Sequence, residues 1–249
     1  DLAEQINRMA DGLQHRLDAK RGLLLAISHE LRSPLTRARL NAELVAEGPE
    51  HDALLRDLAQ MRDLVIDLLE SERLAGGHAV LSTEPSDLNA LVVEVLAGQL
   101  SAEASANSNA SALRFEAGDS LPLLALDRIR IRLLLRNLFD NALRHTPEAA
   151  KAAEADMALV VTTRREGDGV CLTVRDHGPG VAEVNLDHLA QPFYREDIAR
   201  QHATGGVGLG LYLCRLVVVA LGGTLTFRDA APGLEVSVRL PMSAMAPPR

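Results

Sequence analysis

The chain has 249 residues, 47% of them hydrophobic and 24% charged, a globular balance that fits one large or two modest domains and excludes a mainly disordered or collagen-like polymer. Its 26 Lys and Arg stand against 34 Asp and Glu, a formal charge of -8 with no basic block, so no nucleic-acid partner is expected and any phosphate contact must be local. Aromatics are 2% with no Trp, which leaves Leu, Val and Ala to fill the core.

Ile6, Ala10, Leu13, Leu17, Lys20, Leu24, Ile27, Leu31, Pro34, Ala38, Asn41 and Val45 follow one another in alternating steps of four and three, the spacing of a coiled-coil or bundle helix. Gly48 and Pro49 stop it, and Leu54, Leu58, Met61, Val65 and Leu68 repeat the pattern in a second helix. The short connection predicts an antiparallel hairpin. Leu55, Leu64 and Leu69 fall outside the second seam, and a two-fold partner covering them would complete a four-helix bundle.

Gly76 and Gly77 mark a hinge. Beyond it the sequence predicts a strand over 78–85, a helix capped by Asp87 through Leu96, and a Ser- and Asn-rich loop ending near Ser111. A helix over 126–143, strands over 158–163 and 170–174, an apolar helix over 209–221 and strands over 224–227 and 234–240 follow. Residues 241–249 read as a disordered tail. Cys171 and Cys214 lie in apolar runs and read as buried thiols rather than a disulfide. The chain has no run of 18 apolar residues and no signal-peptide pattern at its start, so as given it reads as soluble.

Three constellations carry chemistry. His29 falls at the c position of the first seam, facing outward, and Pro34 five residues on removes the helical partner of the Glu30 carbonyl. A neutral imidazole is a nucleophile near neutral pH, and Glu30 beside it can accept or orient its proton. Asn137 and Asn141 stand four apart on a helix, so both amides face one side with oxygens suited to Mg²⁺, and Arg144 a turn on can reach a phosphate. Asp176-His177-Gly178-Pro179-Gly180 puts a carboxylate at a strand end, and the glycines Gly205, Gly206, Gly208 and Gly210 lead into a helix, an anion site of backbone N–H groups. No Gly-Lys-Ser/Thr follows, and the spacing is not that of a dinucleotide fingerprint.

The string Ser28-His29-Glu30-Leu31-Arg32-Ser33-Pro34-Leu35-Thr36 resembles the phosphoacceptor box of sensor histidine kinases. The ordered set of Asn box, Asp-x-Gly-x-Gly and Gly-x-Gly-x-Gly resembles the ATPase domain they share with Hsp90 chaperones, type II topoisomerases and MutL proteins. Pro192-Phe193-Tyr194-Arg195 resembles the kinases' additional box. The resemblance covers residues 21–240 and implies an α+β fold: a helical hairpin that dimerises into a four-helix bundle, then an α/β-sandwich ATP-binding domain of the Bergerat type. It divides the chain into a HAMP exit helix over 1–20, a phosphotransfer hairpin over 21–76, a hinge and first strand over 77–86, a catalytic domain over 87–241 and a tail over 242–249.

The resemblance further implies that His29 is phosphorylated from ATP, with Glu30 and Ser33 in the catalytic box and in a phosphatase motif. Asn141 would ligate Mg²⁺ with Asn137 assisting, Asp176 would accept from the adenine amino group, and Gly178 and Gly180 would admit the base. Gly206, Gly208, Gly210 and Leu211 would line the triphosphate, Phe193 and Arg195 would border it, and residues 196–205 would form a lid. The implied partners are a second copy of the chain and the receiver domain of a response regulator. The implied parent is a bacterial inner-membrane protein with this portion in the cytoplasm, held to the membrane only by a segment N-terminal to it. Arg144 replaces a common Lys, His145 a common Tyr and Ser33 a common Thr or Asn. These departures leave open a nucleotide-binding scaffold without catalysis. A clamp-type ATPase would need no His29 box.

Overall fold

The computed structural model describes residues 4–5, 8–9, 12, 22, 27, 30–31, 33–46, 48–75, 81–106, 113–146, 159–195 and 208–242. They fall into two compact units, residues 1–78 and 79–249. His29, Gly206, the Gly76 and Gly77 hinge, the lid, most of the exit helix and residues 243–249 lie outside the described residues.

In the first unit residues 33–42 are helical (α1), and a turn leads to α2, Pro49–Ala75, 27 residues long. Pro49 opens α2 where a backbone N–H would have no helical acceptor, and the Asp52 amide closes the first turn on the Gly48 carbonyl at 3.0 Å. Glu50 and Asp52 in the first turn and Arg73 in the last complement the helix dipole. The seam residues Leu31, Val45, Leu54 and Met61 are exposed, whereas Leu55 and Leu64 are half-buried and Leu69 is buried. The remaining seam residues of α2, Leu58, Val65 and Leu68, are half-buried as well, so both of its apolar stripes are partly covered within one chain. The exposed seam positions remain open to further helices, because a bundle core closes only when those helices meet it.

The second unit pairs a two-stranded ribbon with a five-stranded sheet. β1 (Glu84–Ser86) runs antiparallel to β3 (Leu124–Leu126). The sheet order is β2-β4-β5-β7-β6, from β2 (Leu113–Glu116), β4 (Leu159–Glu166), β5 (Gly169–Asp176), β6 (Thr224–Asp229) and β7 (Leu234–Pro241), with only β2 and β4 parallel. Burial alternates along β4 and β7, so Leu159, Val161, Val236, Val238 and Leu240 face the core. Among the described residues of this unit the helices are α3 (Leu88–Ala106), α4 (Arg128–His145) and α5 (Gly210–Ala220), with a 3-10 turn at Glu183–His188.

In α4, Ile131, Leu134, Leu135, Leu138, Phe139 and Ala142 are buried, a stripe at helical spacing that meets the apolar residues of α5. Asp127 caps α4: its Oδ1 accepts from the Arg130 amide at 3.2 Å and its Oδ2 from the Ser82 amide and the Arg130 guanidinium, each at 3.1 Å. A second polar knot joins α3 to β4. Thr163 Oγ1 donates to Asn89 Oδ1 at 2.6 Å and accepts from the Gly118 amide at 2.9 Å, while Asn89 Nδ2 donates to the Gly118 carbonyl at 3.1 Å.

Several elements differ from the sequence reading. The first strand is β1 at Glu84–Ser86, α3 continues to Ala106 on helix-favouring Ala and Glu, and β2 and β3 are additional. Pro241 belongs to β7, opposite Gly169, not to the tail. Cys171 and Cys214 are buried free thiols. Among the described residues no helix is long and apolar enough to cross a membrane.

Candidate active site

Asn137, Asn141, Arg144 and His145 occupy the last three turns of α4. The Asn137 amide donates through Nδ2 to the Leu133 carbonyl at 3.0 Å. Half-buried Asn141 makes no side-chain hydrogen bond among the described residues, so its hard oxygen is available to a cation. Arg144 and His145 are exposed at the helix end.

Asp176 ends β5 with only 4% of its surface exposed. Its Oδ1 accepts from the Gly178 amide at 2.9 Å and from the Leu234 amide of β7 at 3.0 Å. Its Oδ2 carries no hydrogen bond among the described residues. One oxygen thus anchors the carboxylate and the other can accept from a ligand. Buried His177 Nδ1 next to it also has no partner among the described residues.

Gly178 packs against the end of α4: a Cβ there would lie 2.7 Å from the His145 carbonyl oxygen and 3.0 Å from Asp176 Oδ1. Gly210 opens α5 against α4, where a Cβ would lie 2.8 Å from Asn137 Oδ1. These two contacts bring the carboxylate motif and the glycine motif to the C-terminal half of α4. Gly180 lies by Asp229 of β6. Among the described residues no side chain caps the N-terminus of α5, so its first N–H groups can face an anion. Leu211 lies in that first turn. Gly208 holds φ 75° and its carbonyl accepts from the Phe193 amide at 3.0 Å, pinching together the two ends of the segment between them. Phe193 is 60% exposed, and Arg195 is half-buried.

In the first unit Glu30 and Ser33 lie on the helix and are exposed, and Arg37 Nη1 donates to Ser33 Oγ at 3.0 Å. Sequence reasoning missed Arg37, one turn beyond Ser33, and Leu234, whose amide anchors Asp176 from 58 positions away. Arg37 had a signal in its spacing of four, while the Leu234 contact is set by strand pairing alone.

The family model of the histidine kinase-, DNA gyrase B- and HSP90-like ATPase matches residues 126–244, and that of the His Kinase A phospho-acceptor domain matches residues 19–77. The chain belongs to the sensor histidine kinase family. Among relatives of the chain, the sensor protein RstB of Escherichia coli is 32% identical over 90% of the chain and 49% of RstB. The signal transduction histidine-protein kinase BaeS of Escherichia coli is 31% identical over 97% of the chain and 51% of BaeS. The chain therefore spans about half the length of these relatives. Full-length ShkA, solved in complex with AMPPNP, superposes with a TM-score of 0.71 at 26% identity, covering 91% of this chain and 47% of ShkA.

Proposed function

We propose that the chain autophosphorylates His29 with the γ-phosphate of ATP and passes the phosphoryl group to an aspartate of a response-regulator receiver domain. Asp176 carries this reading: a buried carboxylate with one oxygen fixed by two backbone amides and the other free is a built acceptor for the amino group of a purine. Gly178 and Gly180 keep side chains out of the space beside it. The uncapped start of α5, with Gly206, Gly208, Gly210 and Leu211, receives the phosphates. Asn141 fits Mg²⁺ through its unengaged amide oxygen, and the ion when bound neutralises phosphate charge. Arg144 at the end of α4 adds a cation for the phosphates, while His145, Phe193 and Arg195 border the site.

Phosphoryl transfer needs positioning and charge stabilisation more than covalent help, so the protein's task is to bring the γ-phosphorus in line with the His29 imidazole. Glu30 accepts the ring proton or holds the tautomer, and Gly76 and Gly77 form the hinge that permits the approach. The exposed seam residues Leu31, Val45, Leu54 and Met61 support a homodimeric four-helix bundle. Glu30 and Ser33 further support dephosphorylation of the regulator. A membrane anchor in an N-terminal part of the parent would place this portion in the cytoplasm.

The test is to incubate the chain with γ-labelled ATP and Mg²⁺ and to assay acid-labile, base-stable phosphate. The wild type should incorporate it and His29→Gln should not. Equal labelling of His29→Gln would remove the acceptor assignment.

A further inference from the structure

We propose that Asn137 is a positioning residue that sets the spacing between α4 and α5, and thereby the place of the phosphate site, rather than a second ligand to the metal. The proposal rests on the nucleotide-site reading above. Asn137 Nδ2 is spent on the Leu133 carbonyl of the preceding turn, at 3.0 Å. That bond fixes the amide plane and turns Oδ1 away from Leu133. There Oδ1 lies 2.8 Å from the position a Cβ would take on Gly210, and the three atoms nearest that position all belong to Asn137.

A second contact lies four residues further along α5, where Cys214 Sγ donates to the Leu134 carbonyl at 3.7 Å. The two contacts pair 134 with 214 and 137 with 210, so α4 and α5 run antiparallel along this seam. The seam ends at Gly210, where α5 begins with its N–H groups uncapped. One turn on along α4, about 6 Å at the usual rise, comes Asn141. A phosphate bound on the start of α5 therefore sits beyond Asn137 and level with Asn141. Asn137 is the spacer behind the site, and glycine at 210 lets α5 close onto it.

The test uses the full chain and calorimetric titration with AMP and a non-hydrolysable ATP analogue, each with Mg²⁺ and with EDTA. The proteins are wild type, Asn137→Ala, Gly210→Ala, the double variant and Asn141→Ala. Asn137→Ala should weaken the ATP analogue by about tenfold, equally with Mg²⁺ and EDTA, and leave AMP within about twofold, because the adenine end is held elsewhere. A general loss of structure would weaken AMP as well. Gly210→Ala should weaken the ATP analogue at least as much, and adding Asn137→Ala should recover most of that loss, since the colliding oxygen is gone. Asn141→Ala should lose only the Mg²⁺-dependent part. An Asn137→Ala defect that vanishes in EDTA would make Asn137 a metal ligand, and strictly additive effects in the double variant would remove the contact; either overturns the proposal. Thermal midpoints of the nucleotide-free proteins report the same coupling. A wild type that bound no nucleotide would overturn the site reading, while those midpoints would still decide the brace.

Discussion

Asp176 offers a clean separation of folding from recognition, because its two oxygens have different duties. In Asp176→Asn the amide oxygen takes over the Gly178 and Leu234 N–H groups, and the NH₂ group must occupy the Oδ2 position. The internal bonds of 2.9 and 3.0 Å persist, so the nucleotide-free thermal midpoint should stay within about 2 °C of wild type. Toward the base, an acceptor becomes a donor facing another donor. A hydrogen bond to a charged group contributes about 1.5–3 kcal/mol, so ADP affinity should fall by roughly ten- to a hundredfold. Asp176→Ala behaves otherwise. It strands two buried N–H donors at about 1–2 kcal/mol each, lowering stability by about 2–4 kcal/mol and the midpoint of the second unit by roughly 4–16 °C. Calorimetric titration with ADP and with the diphosphate of purine riboside, which lacks the amino group, completes the set: wild type should discriminate between them and Asp176→Asn should not. Equal loss of stability in both variants, or undiminished ADP affinity in Asp176→Asn, would refute this division of labour.

Thr163→Val keeps shape but removes the hydroxyl that joins Asn89 to Gly118, and should cost about 1–3 kcal/mol in urea unfolding of the chain. Asp127→Ala uncaps α4 and removes the bond from the Arg130 guanidinium to Asp127 Oδ2, with a similar loss and a slope unchanged within error. Burial pushes the Cys171 thiol above its ordinary range. Its thiolate is disfavoured in the native state, so this contribution is complete below the unfolded thiol's pKa and is lost as pH rises through the higher folded one. Labelling by Ellman's reagent should accordingly be slow in the native chain and fast in denaturant. Fast native labelling of Cys171 would contradict its burial.

The elements most legible in the sequence are those with long, regular patterns. The alternation in β4 and β7 and the helical stripe of α4 mark them within a few residues of where they lie. β2 and β3 were not legible because they are short and their partners are distant: Phe115 of β2 pairs with Val161, and Ala125 of β3 with Pro85. Leu126 also continued the apolar pattern of α4, although Asp127 carries the cap signal that separates them. Chemistry at the site was readable as residue types in order, but the anchoring of Asp176 by Leu234 depends on a strand pairing that no local spacing encodes. On α2 the heptad shows which residues share a stripe, not which partner covers it.

The most direct test of the central claim is to map the phosphate after brief exposure to ATP and Mg²⁺, by digestion and mass spectrometry under alkaline conditions that preserve phosphohistidine. The account predicts modification on the peptide containing His29, absent from Asn141→Ala. Phosphate on another residue, or an unmodified His29 in a chain that binds ATP tightly, would contradict it.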